Sequence, residues 1–277
     1  MSGADASGAT GIGAGNAPEW VRHTPAQRLA RFAIWLVIVA AIVQSARTVQ
    51  IIPEFLLDAP EQMRDMLVRM WPIDWGHYRE GVHEALIETL HIASLGTLLA
   101  VVMAVPFGVM VASNVTRNGP LNFIARLVLV SSRSVNSLVW ALLFVAVFGP
   151  GALAGTLAIA FRSIGFVGKL IGEALEEAAP GPIEALSAAG ASASAKLWYG
   201  YWPAIKPAFW SIVLLRWDIN VRESAVLGLV GAGGIGMALD TALNLFQWDR
   251  VALVLASIFA VVVVAEIAVS ALRKRIL

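Results

Sequence analysis

Three arginines within long apolar stretches of the chain are followed by a serine, two of them directly and the third after one intervening residue. The pairs are Arg133–Ser134, Arg162–Ser163 and Arg222–Ser224. Guanidinium and hydroxyl groups together donate several charge-assisted hydrogen bonds, a combination that suits a tetrahedral oxyanion. The same arginines could instead pair with carboxylates or with helix-end carbonyls. The sequence therefore predicts an anion path along these pairs and leaves the structural alternative open.

Further charges interrupt the apolar stretch 203–230. On a helix, Arg216 and Glu223 lie on one face, whereas Asp218 and Arg222 are four residues apart on the opposite side and can form an ion pair. A charge that faces lipid at mid-bilayer costs about 2.5–3.5 kcal/mol, so these groups must pair, snorkel or face water. We predict charge pairing along this helix, with its first face turned toward a partner helix, a second copy of the chain or a pore.

A glycine-rich segment follows this stretch. Its members are Gly231, Gly233, Gly234 and Gly236. Three of them have the G-x-G-x-x-G spacing of a dinucleotide-binding turn, and Asp249 stands about where a ribose-binding carboxylate is expected. That site needs a strand before the glycines, but the preceding stretch 203–230 has the length of a membrane helix. We interpret the glycines as an outer turn and gate, where positive φ or close backbone approach is needed, and expect a short re-entrant or interfacial helix over 237–245.

The composition indicates which kind of protein positions these residues. Hydrophobic residues make up 58% of the 277 residues and charged residues 14%, whereas soluble domains carry about a quarter charged residues. The mean hydropathy is +0.74. These values predict an integral membrane protein in contact with lipid, and a net charge of +1 gives no reason to expect nucleic-acid binding. The chain has no cysteine, and His23, His77, His83 and His91 lack metal-ligand spacing, so no metal site is predicted.

The order of apolar stretches predicts an all-α protein with six transmembrane helices. We expect a disordered cytoplasmic tail at 1–28, a first transmembrane helix at 29–52, an external interfacial segment at 53–80 and a five-helix core at 81–277, with a cytoplasmic loop at 176–203. The core stretches are 86–112, 121–148, 152–175, 203–230 and 251–272. Basic residues fall on one side when both termini lie inside.

The first apolar run also fits a signal peptide, because basic residues precede Phe32–Val43. Gln44 is too large for the small residue that a cleavage after Ala46 requires, and apolar sequence resumes at 49–52. These two observations favour a transmembrane helix.

The cytoplasmic loop is longer than a simple connection requires. The segment 183–196 consists almost entirely of small residues and is predicted to form one short helix. Glu184, Ala185, Gly190 and Pro203 match the E-A-A-x-x-x-G…P signature of ABC importer permeases, with Leu186 in place of the second alanine. A solvated loop helix is the structural alternative.

Three further stretches resemble the permease subunit of the phosphonate class of ABC importers. They read RSVNSLVWALLFVAVFGPG at 133–151, FRSIGFVGKLIGEALEE at 161–177 and RWDINVRESAVLGLVGAGGIG at 216–236. The resemblance covers about residues 50–273 and implies a type I importer fold with both termini in the cytoplasm of a prokaryote.

The resemblance also implies a set of partners. Two copies of the chain would form a homodimer, two ABC ATPase subunits would dock on the coupling helix of the cytoplasmic loop, and an external binding protein would deliver the substrate. ATP and Mg²⁺ would be bound by the ATPases, since this chain has no G-x-x-x-x-G-K-[ST] motif and is expected to bind no cofactor and to be no enzyme.

Three alternatives differ in the cargo or in the driving force. An ABC permease of this kind could carry methionine or glycine betaine instead of phosphonate, phosphite or phosphate. A secondary transporter would require inverted repeats, which the sequence does not display. A membrane-embedded enzyme would require a metal or acid–base cluster, for which the scattered histidines give no basis.

Overall fold

The predicted all-α membrane architecture is confirmed. The computed structural model describes residues 25–49, 53–116 and 118–276, and within these ranges every regular element is helical. Most of the predicted tail at 1–28 lies outside the described residues, although the first helix already begins at Pro25. Residues 50–52 and 117 are also outside them.

The chain divides into two units, Met1–Gln62 and Met63–Leu277. The first contains helix α1, Pro25–Thr48, and the start of α2, Pro53–Arg69. The described side chains of α1 are exposed along the whole helix, although most are apolar. An apolar surface of that extent requires contact with lipid or protein.

In the second unit, short turns precede the first long core helix. A 3₁₀ turn at Trp75–His77 and a π-helical turn at Tyr78–Val82 lead directly into α3, His83–Val111. One buried stripe of α3 consists mainly of small residues, among them Ala93, Ala100 and Ala104. Small side chains allow close helix–helix approach in a membrane, so this stripe is the natural contact for another core helix.

The predicted span over 121–148 is not one continuous helix. The structure has two helices, α4 at Gly119–Ser134 and α5 at Ser137–Phe148, which are bent by 91° relative to each other. The side chain of Asn136 accepts a hydrogen bond from the Leu138 amide and so caps the start of α5. An N-cap residue satisfies the free amides of a new helix, and for this reason the chain can break within apolar sequence.

Helix α6, Ala152–Glu176, is the centre of the second unit and contacts α3, α4, α5 and the later helix α9, Trp202–Leu227. Glycines make these contacts close. A Cβ on Gly96 of α3 would lie 2.7 Å from Ile159 Cγ2, and one on Gly165 would lie 3.0 Å from the Arg133 amide nitrogen. Helix α4 therefore crosses α6 at Gly165, which fixes the position of Arg133.

The loop 176–203 does not contain one helix over 183–196. Helix α7 spans Pro180–Ala188 and α8 spans Ala193–Lys196, with Gly190 between them at φ +75°. A left-handed glycine ends a helix at low cost, which explains the break. A π-helical turn at Leu197–Tyr201 then leads into α9, Trp202–Leu227.

Two helices complete the chain, α10 at Ile235–Asn244 and α11 at Trp248–Ile276. Among the described residues, four helices are long and apolar enough to cross a membrane, and counting each of two bent pairs as one crossing gives up to six. The bent pairs are α4 with α5, and 193–230 with α10. The predicted domain limits remain predictions.

Candidate functional site

A charged network joins α6 and α9 inside the helix bundle. Glu223 of α9 accepts hydrogen bonds from Arg162 Nη1 at 2.6 Å and from Arg216 Nη2 at 3.5 Å. The Arg216 side chain is only 3% exposed and its guanidinium lies 5.4 Å from the centre of the Phe166 ring. One carboxylate thus bridges an arginine on its own helix, Arg216, and an arginine on α6, Arg162.

Hydroxyl and amide groups extend this network to α3. Arg216 Nε donates to Ser163 Oγ at 2.8 Å, and Ser163 Oγ donates to Asn220 Oδ1 at 3.2 Å. The amide nitrogen of Asn220 then donates to Thr97 Oγ1 at 2.7 Å. All four groups are buried. These four groups hydrogen-bond to one another in a chain across α9, α6 and α3, and such a chain holds the three helices in one arrangement.

Asp218 and Arg222 form an ion pair along α9, four residues apart. The Asp218 side chain is 10% exposed and that of Arg222 is 48% exposed. This is the geometry that helical spacing predicts for the opposite side of α9. The guanidinium of Arg222 remains accessible on one side, whereas Arg216 does not.

The structure gives the three predicted arginine–serine pairs different surroundings. Ser163 and Ser224 are fully buried, and the Ser224 hydroxyl is bonded to the carbonyls of Thr89 and Val221. Their hydroxyls therefore serve contacts between helices. Arg133 and Ser134 are exposed at the end of α4, beside the bend that precedes α5. The anion path as a whole stays a prediction.

Thr97 is a member of the network that sequence reasoning did not single out. Its hydroxyl accepts from Asn220 and donates to the Ala93 carbonyl at 2.6 Å. The only signal for it was a threonine inside the apolar stretch 86–112, and threonines are common there without such a role. Contacts between helices distant in sequence could not be read from spacing.

The predicted coupling residues lie on a poorly packed part of the loop. Ile183 and Leu186 are half-buried, and their side chains pack against Gly200. Glu184 and Ala185 are exposed on α7. Nothing lies within 4 Å of a Cβ on Gly190, and the exposed Pro203 occupies the first turn of α9. Helix α7 is thus anchored by two side chains and leaves a face of small residues open.

The glycine segment is a buried turn between helices, as interpreted from the sequence. Gly231, Gly233 and Gly234 have φ of +81°, +83° and +74°. The Gly231 carbonyl accepts a hydrogen bond from the Gly151 amide at 2.9 Å, and the Ile235 amide donates to Thr89 Oγ1 at 2.7 Å. A 3₁₀ turn at Gly228–Val230 precedes it, where a dinucleotide fold would have a strand.

Gly236 contributes close packing rather than positive φ. It lies in the first turn of α10, where a Cβ would collide with the Ala225 carbonyl oxygen and lie 2.8 Å from Gly228 Cα. The glycine spacing therefore serves the contact between the end of α9 and the start of α10.

A family model described as "Binding-protein-dependent transport system inner membrane component" matches residues 104–277. The match covers the helices that carry the charged network, the loop with α7 and the glycine turn.

Two curated relatives and one solved structure extend the comparison. The chain is 40% identical to the phosphite transport system permease protein PtxC of Stutzerimonas stutzeri over 73% of its own length and 74% of the relative. It is 35% identical to the phosphate-import permease protein PhnE of Mycolicibacterium smegmatis over 86% of its length, but spans only 44% of that longer protein. Its fold is similar to a chain of the MetNI methionine ABC transporter in inward-facing conformations, with a TM-score of 0.65, 20% identity and coverage of 72% and 97% of the two chains.

Proposed function

We propose that this chain, which belongs to the binding-protein-dependent transport system inner membrane component family, is the permease subunit of an ATP-driven importer for small phosphorus oxyanions. Phosphite, phosphonate and phosphate are the cargo class. The observation that carries this choice is the 40% identity with a phosphite transport system permease over most of both chains. Arginines on α4, α6 and α9 agree with an anionic cargo and argue against a cationic one.

The open face of α7 is the proposed contact for the ATPase. It exposes Glu184 and Ala185 beside the break at Gly190, and a short helix held by only two side chains can follow a moving partner. ATP and Mg²⁺ belong to that partner. Movement of α7 is passed through the continuous segment 193–227 to α9, and from there through Glu223 to α6.

The glycine turn is the proposed outer gate and the place where a binding protein delivers the cargo. The turn is tied to the α5–α6 connection by the Gly151–Gly231 hydrogen bond and to α3 through Thr89. A binding protein that contacts the glycine turn would therefore act on α3, α5 and α6 at once.

Two copies of the chain are the proposed working form. The permease relative of Mycolicibacterium smegmatis is more than twice as long as the region matched here, which leaves room for a second unit of this size. Native mass spectrometry of the purified permease with its ATPase should give two copies of this chain per complex. A complex with one copy and a second, different permease would replace the homodimer by a heterodimer.

The decisive experiment is uptake into proteoliposomes that contain the permease and its ATPase, with the binding protein outside. Labelled phosphite, methylphosphonate, phosphate and methionine are supplied with ATP inside. We expect uptake of at least one phosphorus oxyanion and none of methionine. Methionine uptake without oxyanion uptake would assign the chain to another cargo, and uptake without ATP would refute the ATP-driven mechanism.

A further inference from the structure

A cavity between α4 and α6 carries a cluster of charges away from the α6–α9 network. Its volume is about 300 Å³, and its charged lining comprises three basic and two acidic side chains. They are Arg126, Arg133, Lys169, Glu173 and Glu176. None of these residues belongs to the network around Glu223.

Helical spacing brings the basic groups to this cavity. Arg126 and Arg133 are seven residues apart on α4, which is about two turns, and therefore lie on one face. Lys169 of α6 faces them because α4 crosses α6 at Gly165, one turn earlier. At about 1.5 Å per residue, Arg133 lies roughly 21 Å along α4 from Gly119 and Arg126 roughly 10 Å along it.

The cavity therefore lies in the half of the bundle that is next to α7. Helix α6 ends at Glu176, four residues before α7 begins, and Lys169 lies two turns before that end. In the predicted orientation this half opens to the cytoplasm.

The two acidic groups already have partners. Glu173 pairs with Lys169 at 3.1 Å, with both side chains nearly half exposed. Glu176 accepts from the Ser113 amide at 2.8 Å and from its hydroxyl at 2.7 Å. Neither Arg126 nor Arg133 forms a salt bridge with a described residue. The cavity therefore presents two guanidinium groups that lie outside salt-bridge distance of any described carboxylate, although Arg126 interacts electrostatically with Glu176, and one ammonium that is shared with Glu173.

Contact with lipid would be energetically unfavourable for these charged side chains. Three cations at such depths would each cost up to about 3 kcal/mol against hydrocarbon. Water or a passing anion is the alternative, and fork-shaped guanidinium donors match the oxygens of a phosphorus oxyanion.

We infer that this cavity is a low-affinity anion site on the exit side of the transport path, in which Arg126, Arg133 and Lys169 hold a phosphorus oxyanion transiently. The identity of the cargo rests on the proposed function, whereas the positive potential of the cavity does not. Affinity is low because Glu173 competes for Lys169 and the groups are partly hydrated, and a site on a path must release its cargo.

The potential can be measured without transport, since the chain has no cysteine. A single cysteine at Val130, an exposed residue that lines the cavity, reports on it through its reaction with anionic and cationic thiosulfonate reagents. We expect the ratio of anionic to cationic reaction rates to fall about tenfold when Arg126→Gln and Arg133→Gln are combined, the low end of electrostatic focusing in a charged cleft. The double variant Arg126→Lys with Arg133→Lys should keep the ratio.

A cysteine at Ser187, exposed on α7, is the matched control site and should show no change. An unchanged ratio at Val130 in the glutamine variant would overturn the inference whatever the cargo proves to be. So would an equal fall in the lysine variant, because that would indicate a packing role.

A transport measurement is the second test of the inference. In proteoliposomes, the glutamine variant should lower kcat for oxyanion uptake about tenfold, while the lysine variant retains kcat. KM should stay unchanged in both, because the cavity lies on the proposed exit side and not where the cargo enters. Normal kcat in the glutamine variant would refute a role in transport. If the wild type carries no oxyanion but the thiol ratio responds as expected, the proposed cargo is wrong and the anion-attracting cavity stands.

Discussion

At the scale of single residues, helical spacing predicted the partners within α9 but not those on other helices. The Asp218–Arg222 pair and the shared face of Arg216 and Glu223 follow from a period of 3.6 residues. The contact from Arg162 to Glu223 joins residues on two helices and depends on how α6 and α9 pack. Spacing could not supply that contact, although the need to neutralise a charge in apolar surroundings indicated that some partner exists.

Replacing Glu223 by glutamine should destabilise the protein strongly. The change leaves the buried guanidinium of Arg216 and that of Arg162 without a counter-charge, and breaking a buried pair costs about 3–5 kcal/mol. Thermal unfolding in detergent measures the loss. Glu173→Gln removes the same charge from an ion pair that is nearly half exposed and should cost no more than about 1 kcal/mol. Equal losses in the two variants would show that the network is not a stabilising element.

At the scale of elements, hydropathy located the core helices and missed their breaks. The stretch 121–148 is apolar throughout most of its length, so a hydropathy window cannot distinguish one straight span from two helices at 91°. The usable signal was Asn136, a strong N-cap residue before an apolar run. Gly190 was a similar signal in the loop, where it ends a helix that was predicted to continue to 196.

The glycine turn before α10 offers a matched pair of glycines for a test of its packing. Gly231 and Gly233 have nearly equal positive φ, so alanine is strained at both positions. A Cβ on Gly231 meets only Pro150 Cβ, at 3.6 Å, and Val145 Cγ1, at 3.8 Å, whereas one on Gly233 would lie 2.7 Å from the Ala152 nitrogen. Gly233→Ala should therefore be less stable than Gly231→Ala by about 1–3 kcal/mol, the usual cost of overpacking.

Unfolding midpoints of the two alanine variants in the same detergent give the comparison. A Gly231→Ala variant as unstable as Gly233→Ala would mean that backbone strain alone accounts for both effects, and that the turn does not depend on its contact with α6.

At the scale of the whole molecule, the two ends of the bundle differ in how firmly they are held. The glycine turn is largely buried and hydrogen-bonded to its neighbours, whereas α7 has no buried residue. The sequence resemblance predicted a role for both segments, but only the packing shows that one is buried and the other is open. The family signature could not reveal this, because it records residue types and not burial.

Reversing the charge on the exposed face of α7 should uncouple the ATPase. Glu184→Lys is expected to lower ATP-driven uptake about tenfold, within the range typical of coupling between distant sites, without affecting insertion. Uptake in proteoliposomes and size-exclusion profiles measure the two properties. Glu177→Lys, an equal charge change at the end of α6, is the control and should transport normally. Normal uptake by Glu184→Lys would remove α7 from the ATPase contact.

The bend between α4 and α5 has a mechanical consequence. Two non-helical residues, Val135 and Asn136, separate helices that run almost at right angles, so neither helix can push or twist the other as one rod. Helices α4 and α5 both pack on α6 instead. A displacement of α4, with Arg126 and Arg133, therefore reaches α5 through α6 and not along the chain.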